Sequence, residues 1–159
     1  MKWPGITLVF LTLTTAVSCA VLPKGSTGPV SPVLEIKDTA SGRVYGRRQV
    51  TGGDEFAIEF VHSVHQSPVR EVYQVNDGTI QAVSVRFFSF GAGMQSGLEE
   101  GQTISRDGDA LVISGINRSF TELNYIVGTV SDHLLLINGE TISLTGLCGK
   151  NAHITLRIK

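Results

Sequence analysis

The chain has 159 residues, a formal net charge of −1, 42% hydrophobic residues and 17% charged residues. This apolar content is sufficient for a packed core and excludes a globally disordered chain. A net charge so close to zero excludes a partner that is held mainly by electrostatic attraction, such as nucleic acid. The 18 glycines and the scarcity of charges favour strands joined by tight turns.

The N-terminus has the pattern of an export signal. Lys2 is the only charged side chain before Lys24, and residues 6–17 form a run of mainly apolar residues and threonine. That run is too short to span a bilayer as a helix, which favours a signal peptide over a membrane anchor. Residues 16–19, Ala-Val-Ser-Cys, resemble the end of a bacterial lipoprotein signal.

We therefore expect residues 1–18 to be a signal peptide that is cleaved before Cys19, with Cys19 lipidated and residues 19–32 forming a proline- and glycine-rich tether. Such a protein is anchored in a lipid bilayer on the periplasmic side of the cell envelope. Among lipoproteins, Ala20 after the lipidated cysteine favours the outer membrane if the cell is Gram-negative. An ordinary secretory signal and an uncleaved anchor remain open alternatives.

The remaining residues, 33–159, predict a single all-β domain. Apolar and polar residues alternate with period two between turn residues, and no segment sustains a helical period. The architecture expected is an antiparallel β-sandwich or a flattened barrel of about ten short strands. The predicted strands are 33–37, 43–50, 55–64, 69–75, 79–90, 103–106, 110–116, 123–130, 134–137, 140–144 and 154–158.

Two hairpins can be predicted from their turn residues. Asn138-Gly139 is a strong signal for a two-residue loop, because both residues tolerate a positive φ. For the loop near Asp77-Gly78, we predict three residues, 76–78, since that choice would turn Val83, Val85 and Phe87 toward the core.

His62 and Glu71 are the first candidate site. His62 lies on the same strand face as three apolar residues, and a loop over residues 65–68 would place it opposite Glu71. Such a pair would lie on the core side, as a structural pair or as the floor of a ligand pocket with His62 as donor and Glu71 as its orienting partner. A metal site would need a third ligand, for which Asp132 or His133 is available.

Nucleophilic catalysis has weaker support. Ser63 adjoins His62, but neighbouring residues of a strand point to opposite faces, which separates a nucleophile from its base. Cys148 lies between apolar strands, and a buried, unreactive thiol is expected there. The sequence indicates no cofactor, and it favours a protein without catalytic activity over an enzyme.

Gly91 and Gly93 follow a phenylalanine-rich strand. Such small residues can bring backbone N–H groups close to an anion, or they can simply turn the chain at a corner of the sandwich. Arg86 on the same strand is expected to face away from the core.

Four segments together resemble one bacterial family, the domain of unknown function numbered eighteen-fifty. Residues 62–71 resemble its His-Ser-Val-x-x-(Thr/Ser)-Pro-Val-x-Glu motif, with Ser67 where threonine is commoner. Residues 86–93 resemble its Arg-Phe-x-Ser-Phe-Gly-Ala-Gly motif, and residues 113–118 and 127–133 continue the match in order. The positions that match its motifs include His62, Glu71, Arg86, Gly91, Gly93, Asp132 and His133.

The resemblance implies an uncharacterised exported β domain. Members of the family are often encoded beside, or fused to, membrane subunits of TAXI-type tripartite ATP-independent periplasmic (TRAP) transporters, and the family has no established catalytic residues. We therefore expect a non-catalytic accessory or binding module linked to the uptake of a small solute, for which an anion is one candidate. The alternatives are a metal-binding or hydrolytic enzyme that uses His62, Glu71 and His133, and a structural envelope lipoprotein.

Overall fold

The structure, a computed structural model, describes residues 31–63, 66–88 and 97–159. Residues Ser31–Lys159 belong to one compact unit. Nearly all of its regular structure is antiparallel β-strand, which confirms the predicted all-β class. No helix in the described ranges is both long enough and apolar enough to cross a bilayer. The predicted signal peptide and Cys19 lie outside the described residues.

The strands form two open sheets, with one short helix between the last two strands. The four-stranded sheet has the order β2-β1-β11-β8, and the seven-stranded sheet has the order β10-β9-β3-β4-β5-β7-β6. In chain order the elements are β1 (Val33–Asp38), β2 (Val44–Gln49), β3 (Glu55–Val61), β4 (Pro68–Asn76), β5 (Thr79–Phe87), β6 (Thr103–Asp107), β7 (Ala110–Phe120), β8 (Glu122–Ile126), β9 (Leu134–Ile137), β10 (Glu140–Ser143), α1 (Leu144–Cys148) and β11 (His153–Ile158).

The core contains two clusters of apolar side chains. The larger cluster draws on both sheets; for example, Leu34 of β1 and Ile154 of β11 are fully buried, as are Ile58 of β3 and Leu135 of β9. Each such side chain contributes roughly 1.5–3 kcal/mol when it leaves water. The smaller cluster, centred on Val69, Phe87 and Ile113, belongs to β4, β5 and β7 of the seven-stranded sheet alone.

A buried carboxylate ties three strands of the four-stranded sheet together. Glu35 of β1 is 1% exposed and lies between Arg47 of β2 and Arg157 of β11. Arg47 donates two hydrogen bonds to one carboxylate oxygen, and Arg157 donates two to the other, at 2.6–3.1 Å. The hydrogen bonds from Arg157 and Arg47 outweigh burial and lower the pKa of Glu35.

The predicted register between β3 and β4 is wrong by four residues. Phe60 pairs with Val69 and Ile58 pairs with Glu71, so His62 is not the cross-strand partner of Glu71. Instead, the His62 N–H donates to the Ser67 carbonyl at 2.9 Å and Pro68 begins β4, although Ser67 and Pro68 were both expected in the loop. Because the shift is even, the same side chains still face inward. In this register Phe56 and Tyr73 are paired and their rings stack at 5.4 Å.

The predicted three-residue loop between β4 and β5 is also wrong. Asn76 pairs with Thr79, so the loop is Asp77-Gly78, and both of its residues have positive φ angles of 44° and 77°. The register of β5 then shifts between Ala82 and Ser84. Because of this irregularity, Ala82 before it and Phe87 after it are both buried, although strict alternation would place them on opposite faces of the sheet.

Helix α1 was not expected, because five residues are too few to show a helical period. The Ser143 hydroxyl accepts a hydrogen bond from the Gly146 N–H at 2.8 Å and caps the start of the helix. Cys148, at its end, is a free and partly buried thiol. Burial raises its pKa to about 11, so the thiol is protonated and weakly nucleophilic near neutral pH.

Candidate functional site

A cavity of about 430 Å³ lies against the inner face of the seven-stranded sheet. Side chains from β3, β4, β5 and β7, together with His62 just after β3, supply its walls, and most of them are apolar. The lining residues are Phe60, His62, Val69, Glu71, Val72, Tyr73, Ala82, Ser84, Val85, Ile116 and Phe120. We call this space the Glu71 cavity.

Two tyrosine hydroxyls hold the carboxylate of Glu71. Tyr73, two residues along β4, donates to Oε2 at 3.0 Å, and Tyr125 of β8 donates to the same oxygen at 2.5 Å. The two hydroxyl oxygens are themselves 2.6 Å apart. Because β8 belongs to the four-stranded sheet, this cluster links the two sheets through hydrogen bonds.

The cluster is arranged as one acceptor and two donors. Burial and the charge of Glu71 raise the pKa of Tyr73 and of Tyr125, so both phenols keep their protons. Within the described part of the chain, both hydrogen bonds to the Glu71 carboxylate end on Oε2, and the Glu71 side chain is half-buried and lines the cavity. Oε1 can therefore accept a hydrogen bond from a bound molecule.

A second cavity, of about 440 Å³, adjoins the first through shared lining residues. Phe60 and His62 line both spaces. The rest of its lining comes from the chain on either side of the β3–β4 loop and from the segment before β9: Val61, Ser63, Gln66, Gly128, Thr129, Val130, Ser131 and His133. We call this space the His133 cavity.

His133 is fixed by its neighbours on three sides. Its ring stacks on Phe60 at 4.9 Å between centroids and meets the edge of Tyr125 at 6.3 Å. Its Nδ1 accepts a hydrogen bond from the Gly128 N–H at 3.0 Å. A Cβ at Gly128 would collide with the Ser131 carbonyl and crowd the His133 ring, so glycine is required there.

The electrostatics of this region favour a neutral imidazole. Burial lowers the pKa of His133 more than the charges of Asp132 and Glu71 raise it. The bond from Gly128 also requires an unprotonated Nδ1. Both effects act in the same direction, against the charged form of the ring.

Asp132 has a structural position at the start of α1. Its Oδ1 accepts a hydrogen bond from the Thr145 N–H at 2.9 Å. Burial alone would raise the pKa of Asp132, but the interactions with Ser143 and Thr145 outweigh it and lower that pKa. Asp132 therefore holds the helix in place and does not line either cavity.

The structure thus places the candidate residues in different parts of the molecule. Glu71 and His62 line the Glu71 cavity, and His133 lines the second cavity, which His62 also reaches. Arg86 faces outward as predicted: it pairs with Asp107 at 3.0 Å and lies over the Phe88 ring. Gly91 and Gly93 lie outside the described residues. Among the residues that are described, no group of three or more His, Cys, Asp or Glu side chains is placed to hold a metal ion.

Sequence reasoning missed Tyr125 and the hydroxyl role of Tyr73. A signal was present, because Tyr125 alternates with Leu123 and Val127, both of which are buried. A tyrosine on an inward face needs a partner for its hydroxyl, and an inward-facing carboxylate needs donors.

Loss of the Tyr125 hydroxyl should destabilise the fold. We expect Tyr125→Phe to lower the free energy of unfolding by about 1.5–3 kcal/mol, the usual range for a hydrogen bond to a charged group. Tyr45→Phe is the control, because the Tyr45 hydroxyl donates to Asp38 over a longer 3.3 Å in a more open setting. Denaturant unfolding measures both variants, and equal losses would contradict a special role for the cluster.

The stability of the fold should depend on the protonation of His133. Because the folded-state pKa lies below the ordinary 6.5, the contribution of the neutral ring is fully present above pH 6.5 and is lost as the pH falls through the folded-state value. The stability advantage of the wild type over His133→Gln should therefore shrink between about pH 8 and pH 5. An NMR titration midpoint for His133 at or above 6.5 would overturn this expectation.

Comparison with known proteins gives one informative result. The family model described as "Domain of unknown function (DUF1850)" matches residues 56–144, more than half of the chain and the part that contains Glu71, Tyr73, Tyr125 and His133. No curated protein and no solved structure matches the chain. The chain belongs to the DUF1850 family.

Proposed function

We propose that this protein is an exported, lipid-anchored module that binds a small solute in the Glu71 cavity and works beside a TAXI-type TRAP uptake system. The observation that carries the binding role is the Glu71 carboxylate, which two tyrosine hydroxyls hold by one oxygen while the other remains available in a largely apolar cavity. A few placed polar groups on apolar walls are typical of small-molecule sites.

The dimensions of the cavity support a small ligand. Its volume of about 430 Å³ falls in the range of roughly 300–1,000 Å³ that is usual for ligand pockets. The carboxylate also needs no rearrangement before binding, because the two hydroxyls already hold it in position. Such preorganisation reduces the entropy that a ligand must overcome.

Most of the titratable groups near the two cavities are already engaged in hydrogen bonds, which favours binding over catalysis. Burial and the Glu71 charge keep the phenols of Tyr73 and Tyr125 protonated, and the free lone pair of His133 already accepts the Gly128 N–H. Asp132 is committed to the start of α1. A general base needs a lone pair within reach of a substrate proton, which these four groups do not offer, and we assign the available oxygen of Glu71 to ligand binding.

The location of the protein in the cell envelope is inferred from its N-terminal sequence and from the family resemblance. Residues 1–19 have the order of a lipoprotein signal, and several buried acyl chains, at about 0.8 kcal/mol per methylene, would hold the domain at a bilayer surface. The link to a TRAP transporter is supported by the family resemblance, through the frequent proximity of such genes to TAXI subunits.

Solute binding can be measured by equilibrium dialysis of the purified full chain against a small-molecule extract of the growth medium, with mass spectrometry of the retained compounds. We expect at least one solute to be enriched, and Ser84→Phe, which places a ring in the Glu71 cavity, to abolish the enrichment. Ser105→Phe on the exposed strand β6 is the matched control. Enrichment that survives Ser84→Phe, or chemical conversion of the retained solute, would contradict the proposal.

Lipid attachment has a separate readout. Cells that express the full chain should incorporate labelled palmitate into the protein, and Cys19→Ser should remove the label, since the thiol is the acceptor. Cys148→Ser is the control, because that thiol lies at the end of α1 in the folded domain. Label that persists in Cys19→Ser, or a wild-type protein without label, would show that the chain is not a lipoprotein of this type.

A further inference from the structure

We infer that the Glu71 cavity takes a small organic ammonium ion, with the positive nitrogen at Glu71 and an apolar body against the remaining walls. This inference rests on the proposed solute binding and specifies the chemical class of the solute. It differs from the anionic solute that the glycines at positions 91 and 93 suggested.

The charge of the lining is the first argument. Among the described residues that line the cavity, Glu71 is the single carboxylate, and there is no lysine or arginine; the other titratable side chains are His62 and Tyr73. A bound anion would face the carboxylate without a fixed positive partner. A cation would be attracted, and this attraction is stronger in a partly desolvated cavity than in water.

The aromatic rings that line the same cavity are the second argument. Phe60, Tyr73 and Phe120 come from three different strands and all line the cavity. The face of an aromatic ring is electron-rich and attracts a cation placed within about 6 Å of its centre. A carboxylate together with several rings is the combination that suits an ammonium group, because the rings also accept the apolar substituents on nitrogen.

The hydrogen bonds of Glu71 are the third argument. Both tyrosine hydroxyls donate to Oε2, so the oxygen that remains, Oε1, offers an acceptor and no donor. Both phenol protons are donated to Oε2, which leaves the cluster without a further O–H donor for an anionic ligand. An N–H of an ammonium ion satisfies Oε1 directly.

The test compares ligands of nearly equal size that differ in charge. Isothermal titration of the full chain at neutral pH uses phenethylammonium, the neutral 2-phenylethanol, the anionic phenylacetate, and phenyltrimethylammonium, which has a positive charge but no N–H. We expect phenethylammonium to bind at least about tenfold more tightly than 2-phenylethanol, and phenylacetate to bind most weakly. The difference between the two cations separates the hydrogen bond to Oε1 from the attraction of the rings.

Substitutions locate the effect. Glu71→Gln keeps the shape and an acceptor oxygen, and it should lower the affinity for phenethylammonium at least about tenfold. Glu122→Gln is the control, because it removes the same charge from an exposed position on β8. If Glu71→Gln does not fold, as judged by circular dichroism, Phe120→Leu should still weaken the binding of phenyltrimethylammonium several-fold by removing one ring.

The outcomes distinguish the two proposals. The ammonium inference is overturned, while solute binding stands, if phenylacetate or 2-phenylethanol binds as tightly as the ammonium ions. The same holds if Glu71→Gln leaves the affinities for the two ammonium ions unchanged. If none of the four compounds binds but dialysis retains a solute, the inference is again wrong and the binding role survives. If dialysis also retains nothing, both proposals fail.

Discussion

The hydrogen bonds that converge on Glu71 are the constraint on which the site depends. A carboxylate on the inward face of a sheet is costly unless donors satisfy it. Here Tyr73 supplies one donor from the same strand and Tyr125 supplies another from the opposite sheet. These hydrogen bonds link β4 of one sheet to β8 of the other, and the cavity lies beside that contact.

The fold could be predicted well wherever one local rule acted alone. Alternation identified the strands, and the Asn138-Gly139 pair produced the expected two-residue hairpin, with positive φ angles of 52° and 76°. Prediction failed where two rules competed. On β5 the turn residues favoured one face and the later apolar residues favoured the other, and the chain satisfied both with a shift in register between Ala82 and Ser84 that alternation cannot reveal.

For a related reason, the sequence predicted the directions of the site's side chains but not their partners. Parity along a strand placed Glu71 and His62 on inward faces, because side-chain direction is a local property. The partners of Glu71 are not local: Tyr125 lies 54 residues away on the other sheet. The error in the β3–β4 register arose in the same way, since several registers bury the same faces and only the detailed packing, such as Phe56 against Tyr73, selects one.

Three strands of the four-stranded sheet lie outside the segment that the family model matches. The segment 56–144 contains β8 but neither β1, β2 nor β11, and β8 pairs only with β11 in that sheet. A fragment cut at those limits would leave β8 without a neighbour and strip the main core of Leu34, Ile36, Ile154 and Leu156. The unit that shares one core is thus wider than the stretch of recognisable likeness, and β11, which lies beyond that stretch, pairs with β8 at Tyr125.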